Sequence, residues 1–285
     1  WKLVEEHNNG FDDEFDEQSN DIVNKDFDTD IDELQKRKID AKRIKQIDQS
    51  KKKATIESVF DERTVFNLNK LIVNGPLERI EGIISAGKEA NIYLAYDREG
   101  KEVAIKIYKI DSNTSKWMRN YIIGDPRFKK IPRNISKVIF LWASKEFKNL
   151  KRAYKVGLSV PMPIYIKNNI LIMEYIGFES IPAPVLKDIK KPKEPIKLMN
   201  EILSFLKTLY QKAKLVHGDL SEFNILYHNQ KPVVIDISQA VSIHHPKAEV
   251  YLARDIKNIF NYFEKLGIET PDPEEFYYEV IKIDN

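Results

Sequence analysis

The 285-residue sequence predicts an α+β fold in two lobes, a small antiparallel-sheet lobe followed by a reduced helical one. Three observations predict it. Short β-like runs at 80–85, 91–96 and 103–108 follow one another through turns such as 97–100, the pattern of a small antiparallel sheet. Beyond a Pro-rich stretch at 182–195, apolar residues recur with helical spacing at 196–213, 249–266 and 273–283. With 42% hydrophobic residues the chain can also bury one large core or two small ones. A link near 174–182 joins the two textures, and the cleft at such a junction is where a ligand is expected.

Taken in order, residues 1–34 hold thirteen acids and two cations, a net −11, without sustained periodicity. This is the composition of a solvated tail. Residues 35–53 carry nine cations against Asp40 and Asp48 with no Gly or Pro, which reads as an exposed basic helix. Together, 1–54 form an acidic tail and basic helix with little expected order, and 55–285 form the folded domain, its N-lobe at about 55–174 and its C-lobe at about 177–285. A helical pattern over 55–71 ends at the breaker Asn74-Gly75-Pro76. After the three strands, 134–156 reads as a helix with Ile135, Ile139, Trp142, Leu150 and Ala153 on one face. Strands at 164–166 and 170–175 close the first lobe. In the second, a hairpin-like pair at 224–227 and 233–237 separates the first helix from the last two. No internal repeat is present.

Composition excludes several classes. The longest apolar run, 138–143, is far short of the roughly 20 residues needed to cross a bilayer, and an acidic N-terminus does not serve as a secretory signal. The absence of cysteine excludes disulfides and thiolate chemistry and agrees with a reducing cytoplasm, the expected location. The first residue is Trp rather than Met, so the natural start is expected upstream. The end at Asn285 without a basic tail points to an archaeal or microbial minimal form. Residues 35–285 hold 44 cations and 31 acids, so the acidic head precedes a body of +13.

The strongest chemical signal is Val216-His217-Gly218-Asp219-Leu220-Ser221-Glu222-Phe223-Asn224. An Asp and an Asn five apart in a loop leaving a helix let a carboxylate accept the proton of an attacking hydroxyl while a neutral amide helps hold a metal on the same phosphates. Alone, the segment could be an ordinary capped turn. Asp236 ends Val233-Val234-Ile235, and if the flanking strands pair it comes near Asn224. Such an oxygen pair suits hard Mg²⁺ or Mn²⁺.

Alternation on the 103–108 strand places Ala104, Lys106 and Tyr108 on one face. An isolated strand lysine is more often solvated than functional. Glu146 changes that balance. It falls in the middle of the apolar stripe of the 134–156 helix, among Lys137, Lys145, Lys148, Lys151, Arg152 and Lys155 on the other faces, and has no cation three or four residues away. A buried carboxylate costs several kcal/mol, on the order of a lost ion pair, unless paired. Lys106, reaching for nucleotide phosphates, is its natural partner. The loop Ser85-Ala86-Gly87-Lys88-Glu89-Ala90 offers backbone amides to phosphates with one glycine where a full glycine-rich loop has three. Met173, Glu174 and Ile176 open the interlobe link, where backbone groups of Glu174 and Ile176 can meet an adenine edge.

Together these residues resemble the RIO family of atypical serine/threonine protein kinases, specifically its type-one subfamily, over about residue 55 to the C-terminus. The most specific pieces are Ser85 to Tyr93, Lys145 to Arg152, His217 to Asn224 and Ile235-Asp236-Ile237-Ser238-Gln239. Ala86 departs from the Thr often found there. The resemblance implies a bilobal protein-kinase-like fold, with Asp219 as catalytic carboxylate, Asn224 and Asp236 as metal ligands, Lys106 as phosphate-binding lysine and Glu146 as its partner. It further implies ATP contacts from Ser85, Ala86, Gly87, Lys88, Glu89, Ala90, Met173, Glu174, Ile176, Ser221 and Glu222, and an aspartyl-phosphate on Asp236. The cofactors implied are ATP and Mg²⁺, with Mn²⁺ as the other hard cation. The partner implied is the immature small ribosomal subunit, its rRNA and proteins, with no membrane and no DNA. A mobile insert is a family habit, and the cationic stretch 111–133 is expected to be one. Gly218 stands where many kinases have Arg, and only 12 residues separate Asp236 from Glu249, without an Ala-Pro-Glu anchor. ATP cycling on a large assembly is therefore expected above broad peptide phosphorylation. Two other readings are a small-molecule kinase of the aminoglycoside or choline type, which shares a His-Gly-Asp loop, and an ATP-switched rRNA-binding assembly factor without catalysis.

Overall fold

The computed structural model describes residues 61–282. The tail and basic helix expected over 1–54, and the start of the helix expected over 55–71, lie outside the described residues. The chain divides into two compact units at Leu71 and Ile72. The first described element, α1 (Glu62–Val73), begins at Asp61, whose Oδ1 accepts the Arg63 and Thr64 amides at 3.1 and 3.2 Å. That satisfies helix N–H groups left without an internal partner.

In the second unit, β1 (Leu77–Ala86), β2 (Ala90–Asp97) and β3 (Glu102–Tyr108) form an antiparallel meander. It is followed by α2 (Ser112–Ile122) and α3 (Ile135–Lys155), then β4 (Pro163–Lys167) and β5 (Ile170–Glu174). The sheet order is β1-β2-β3-β5-β4, so the lysine strand β3 lies at its centre. All seven β3 residues except Glu102 are buried.

The insert expected to be mobile is instead built in. Asp111 caps α2 by accepting the Asn113 and Thr114 amides, and Met118 and Ile122 are fully buried. Nor are all of its cations at the surface, since Arg127 is 6% exposed. A sequence dominated by surface cations hid the two apolar anchors and the buried Asp125–Arg127 pair.

The link carries a two-residue hairpin, β6 (Gly177–Phe178) and β7 (Ile181–Pro182). Ser180 ties it to the sheet by donating to Glu102 at 2.7 Å. A short 3₁₀ turn at Leu186–Asp188 precedes α4 (Pro195–Gln211). Then come β8 (Leu215–Val216), the hairpin β9 (Ile225–His228) and β10 (Lys231–Val234), a 3₁₀ turn at Ile237–Gln239, and β11 (Val241–Ser242). Helices α5 (Ala248–Lys265) and α6 (Pro273–Ile281) complete the described chain. One apolar core runs from Leu94, Ala104 and Leu171 on the sheet through Leu150 of α3 to α4, α5 and α6. Among the described residues no helix is long and apolar enough to cross a membrane.

Candidate active site

Lys106 is 5% exposed, which rules out a solvated strand lysine. Its ammonium donates to Glu146 Oε1 at 2.9 Å and to Asp236 Oδ1 at 2.7 Å. The Tyr108 hydroxyl, on the same strand face, donates to Glu146 Oε2. Glu146 is 1% exposed on the buried stripe of α3, and these two donors offset the cost of burying its carboxylate. Burial opposes the Lys106 ammonium, but Asp236 and Glu146 outweigh it and raise its pKa. Burial pushes Glu146 up to about 7, with Lys106 opposing. The hydrogen bond from the Lys106 ammonium works against that rise and favours the carboxylate form.

The 217–224 loop is framed by strand pairing at both ends. β8 enters it and pairs with β11, while the β9–β10 hairpin leaves it, with the Ile235 amide donating to the Asn224 carbonyl at 2.9 Å. This brings Asp236 beside Asn224, as strand pairing requires, although Asp236 itself lies beyond β10. Asn224 Nδ2 donates to the Asp219 carbonyl at 2.8 Å, which points its amide oxygen away from that carbonyl. From α5, the fully buried Asp255 accepts the Gly218 and Leu220 amides, each at 2.8 Å, and Asn258 donates to the Leu220 carbonyl at 3.1 Å. Burial lifts Asp255 to about 7 against those backbone bonds. Gly218 has φ +80°, and Arg254 donates to its carbonyl. Buried His217 is held down to about 4, so it is a neutral imidazole at physiological pH.

Asp236 adopts a left-handed backbone, φ 56°, at the head of the Ile237–Gln239 turn. Ser238 Oγ donates to Asp236 Oδ1 at 2.7 Å and Gln239 Nε2 donates to Asp219 Oδ2 at 2.8 Å. One turn thus fixes both carboxylates. Their environments differ: burial raises Asp219, with the Arg254 charge opposing, whereas at Asp236 the Lys106 charge and hydrogen bond overcome burial and lower it.

Ser85 and Ala86 at the end of β1, and Gly87 and Lys88 in the turn that leads to β2, are exposed. Gly87 donates its amide to the Ala90 carbonyl at 2.9 Å, so that amide is committed within the turn. Glu89 is half-buried and raised to about 7 by burial and by Asp236, with Lys106 opposing. It therefore lies within electrostatic reach of the site. Met173 is buried opposite Ala104, Glu174 donates its amide to the Met162 carbonyl at 2.8 Å, and the Ile176 carbonyl accepts from Ala183 at 3.0 Å. Ser221 and Glu222 sit half-buried in the loop between Asp219 and Asn224.

Sequence reasoning missed Tyr108 as a Glu146 partner, Asp255, Ser238 and Gln239, and it placed Lys145 on a face away from the apolar stripe without giving it a role. Lys145 is fully buried, donating to the Ser238 and Ala240 carbonyls at 2.6 Å each. An acid inside the apolar stripe of α5 was a usable signal for Asp255, the same one that marked Glu146. Lys145 had none, because its acceptors are backbone carbonyls.

A lysine bridging a helix glutamate and an aspartate, beside a loop carrying an aspartate and an asparagine, on a five-stranded sheet and a helical second half, defines a protein-kinase-like phosphotransferase. The RIO domain family model matches residues 91–276. Similar proteins include the RIO-type serine/threonine-protein kinase Rio1 of Haloferax volcanii, 36% identical over 82% of this chain and 79% of that one. Serine/threonine-protein kinase RIO1 of Saccharomyces cerevisiae is 34% identical over 80% of this chain and 53% of its own length. Among solved structures, the Rio2 kinase–ADP/Mg²⁺–phosphoaspartate complex of Chaetomium thermophilum matches with a TM-score of 0.59 at 25% identity, covering 75% of this chain and 64% of that chain. The chain belongs to the RIO family of serine/threonine protein kinases and is Rio1-like. It spans about half the length of the yeast relative.

Proposed function

We propose that the protein is an ATP- and Mg²⁺-dependent kinase and ATPase acting in maturation of the small ribosomal subunit. The observation that carries the catalytic part is the Lys106 ammonium between Glu146 and Asp236, with Asp219 tied to the same turn. Lys106 binds the nucleotide phosphates and Glu146 aims it. The Ser85–Ala90 loop covers the phosphates, and Met173, Glu174 and Ile176 meet the adenine. Ser221 and Glu222 line the phosphate side.

Asn224 and Asp236 fit a hard divalent ion: both offer oxygen, and the carboxyls of Asp219, Asp236 and Glu146 outnumber the Lys106 charge. Two protein ligands with phosphates and water completing the shell is the usual Mg²⁺ arrangement. Bound there, the ion would supply charge neutralisation on the phosphates. Asp219, raised above the ordinary carboxylate range, takes the proton of an attacking hydroxyl.

Asp236 Oδ1 is occupied by Lys106 and Ser238, which leaves Oδ2 as the oxygen that faces a phosphoryl group. An Oδ2–P bond forms as the bond to ADP breaks, and water activated by Asp219 then releases phosphate. The phosphoaspartate of the Rio2 kinase complex supports this route. The ribosomal partner is supported by the +13 body, whose cations suit rRNA phosphates. Asp219→Ala is expected to lose phosphate release and autophosphorylation while retaining ADP binding. Unchanged turnover would refute the assignment.

A further inference from the structure

We infer that Arg127, in the segment between α2 and α3, is a positioning residue that holds the Ile237–Gln239 turn, and through it Asp236 and Asp219, in register. The inference rests on the phosphoryl-transfer reading of the site. One side of the turn carries the contacts to both carboxylates, from Ser238 and Gln239. Its other side is gripped by side chains through backbone carbonyls. Asn149 donates to Ile237 and Ala240 at 3.0 Å each, Lys145 donates to Ser238 and Ala240, and Arg127 Nη2 donates to Ala240 at 3.2 Å.

Arg127 is the hub of this clamp. Its Nε and Nη2 fork onto Asp125 at 2.9 and 2.6 Å, and Nη1 donates to Asn149 Oδ1 at 2.7 Å. The last bond fixes the amide of Asn149, oxygen toward Arg127 and nitrogen toward the turn. Asp125 Oδ2 also accepts the Ser242 amide at 3.3 Å, anchoring the end of β11. Asp125, Arg127, Lys145 and Asn149 are each no more than 6% exposed. A buried carbonyl left without a partner there is costly, so the turn has one low-energy seat.

That seat matters because Asp236 is left-handed. A non-glycine residue in that region is strained and persists only where its surroundings over-determine it. The clamp begins one residue beyond Asp236 and supplies that constraint. Because α3 also carries Glu146, the same helix sets Lys106 and the turn. The insert therefore reaches the chemistry through backbone rather than by touching substrate.

The test uses Arg127→Lys in the full chain. Lysine keeps a cation beside buried Asp125, but one ammonium cannot fork onto Asp125 and also reach Asn149 and Ala240. Turnover should fall about ten- to a hundredfold, the range for a misplaced reacting group. The Kd for ADP should stay within about twofold. Phe276→Leu, on α6 against Phe260, serves as a control of matched thermal destabilisation and should keep its turnover. Wild-type turnover in Arg127→Lys, or an equal loss in the control, overturns the role. Asp219→Ala is assayed alongside: if it turns over normally the phosphoryl-transfer reading fails, whereas a dead Asp219→Ala with a normal Arg127→Lys removes only the positioning role. Should Arg127→Lys not fold, amide exchange on the unaltered protein decides. The Phe128, Ala240 and Ser242 amides should open together, and protection of 240–242 while 125–128 exchanges freely overturns the inference.

Discussion

Replacing Gly177 by Ala probes the link between the lobes without touching the catalytic side chains. A Cβ at this position would overlap the Ile181 carbonyl oxygen and lie 2.7 and 2.8 Å from Tyr175 ring carbons. Carbon contacts settle at about 3.5–4.0 Å, so the neighbours must yield by roughly 1 Å. Ile181 belongs to β7 and Tyr175 is buried, so relief moves the hairpin or the ring at a cost of about 1–3 kcal/mol. In a chain of this size that is a fall in Tm of about 4–8 °C for a mid-range strain. Gly82→Ala is the control: nothing lies within 4 Å of its added Cβ, and it should be neutral or stabilising by about 0.5–1 kcal/mol, as Ala replacing Gly in a strand. Because Ile176 is proposed to meet adenine, Gly177→Ala should also raise KM for ATP while leaving kcat in place. Thermal unfolding and ATP titration measure both. Equal stability of the two variants, or a loss confined to kcat, would refute the steric argument.

Three further outcomes follow from the same geometry. Lys106→Met leaves buried Glu146 without its cation, costing about 3–5 kcal/mol in urea unfolding. Adding Glu146→Gln should recover much of that stability without restoring turnover. His217 titrates at about 4 in the fold against 6.5 ordinarily, because burial disfavours its charge. The unfolded chain therefore binds the extra proton between those values, and stability falls as pH drops from 6.5 through 4. At about 1.36 kcal/mol per unit, His217→Asn should remove roughly 3 kcal/mol of acid sensitivity, read as the change in its difference from wild type between pH 7 and pH 4. Asn224→Ala should raise the Mg²⁺ concentration needed for half-maximal turnover, and chelation with EDTA should stop turnover in the unaltered protein.

Much of the frame was legible because it is written in side-chain periodicity. The five-stranded sheet, α3 and the last three helices fall within one to three residues of the expected boundaries. Lys106 and Glu146 were readable because a polar group on an apolar face demands a partner, and each supplied the other's. The turn after Asp236 was not legible. Its holders, Lys145, Asn149 and Arg127, act on main-chain carbonyls, which have no residue type, and the cationic side chains resemble a solvated surface until the acceptors are in place. The same reason hid α2: two buried anchors among lysines and arginines leave a weak stripe.

The two aspartates acquire different roles from their surroundings. Asp236 has a side chain 43% exposed and receives Lys106 and Ser238, so it stays ionised below the ordinary carboxylate range. Asp219 is raised chiefly by burial, with the Arg254 charge and the Asn224 and Gln239 donors holding the rise in check. Environments that push two carboxyls apart agree with the proposed roles, Asp236 as the charged ligand or nucleophile and Asp219 as the base. A base must be deprotonated to act, so turnover rises with pH through the value of Asp219, which lies above 3.8. Gln239→Met removes a donor that favours the ionised form and should shift that acid limb to higher pH with nucleotide binding retained. An acid limb that stays in place or moves lower would separate Asp219 from the proton transfer.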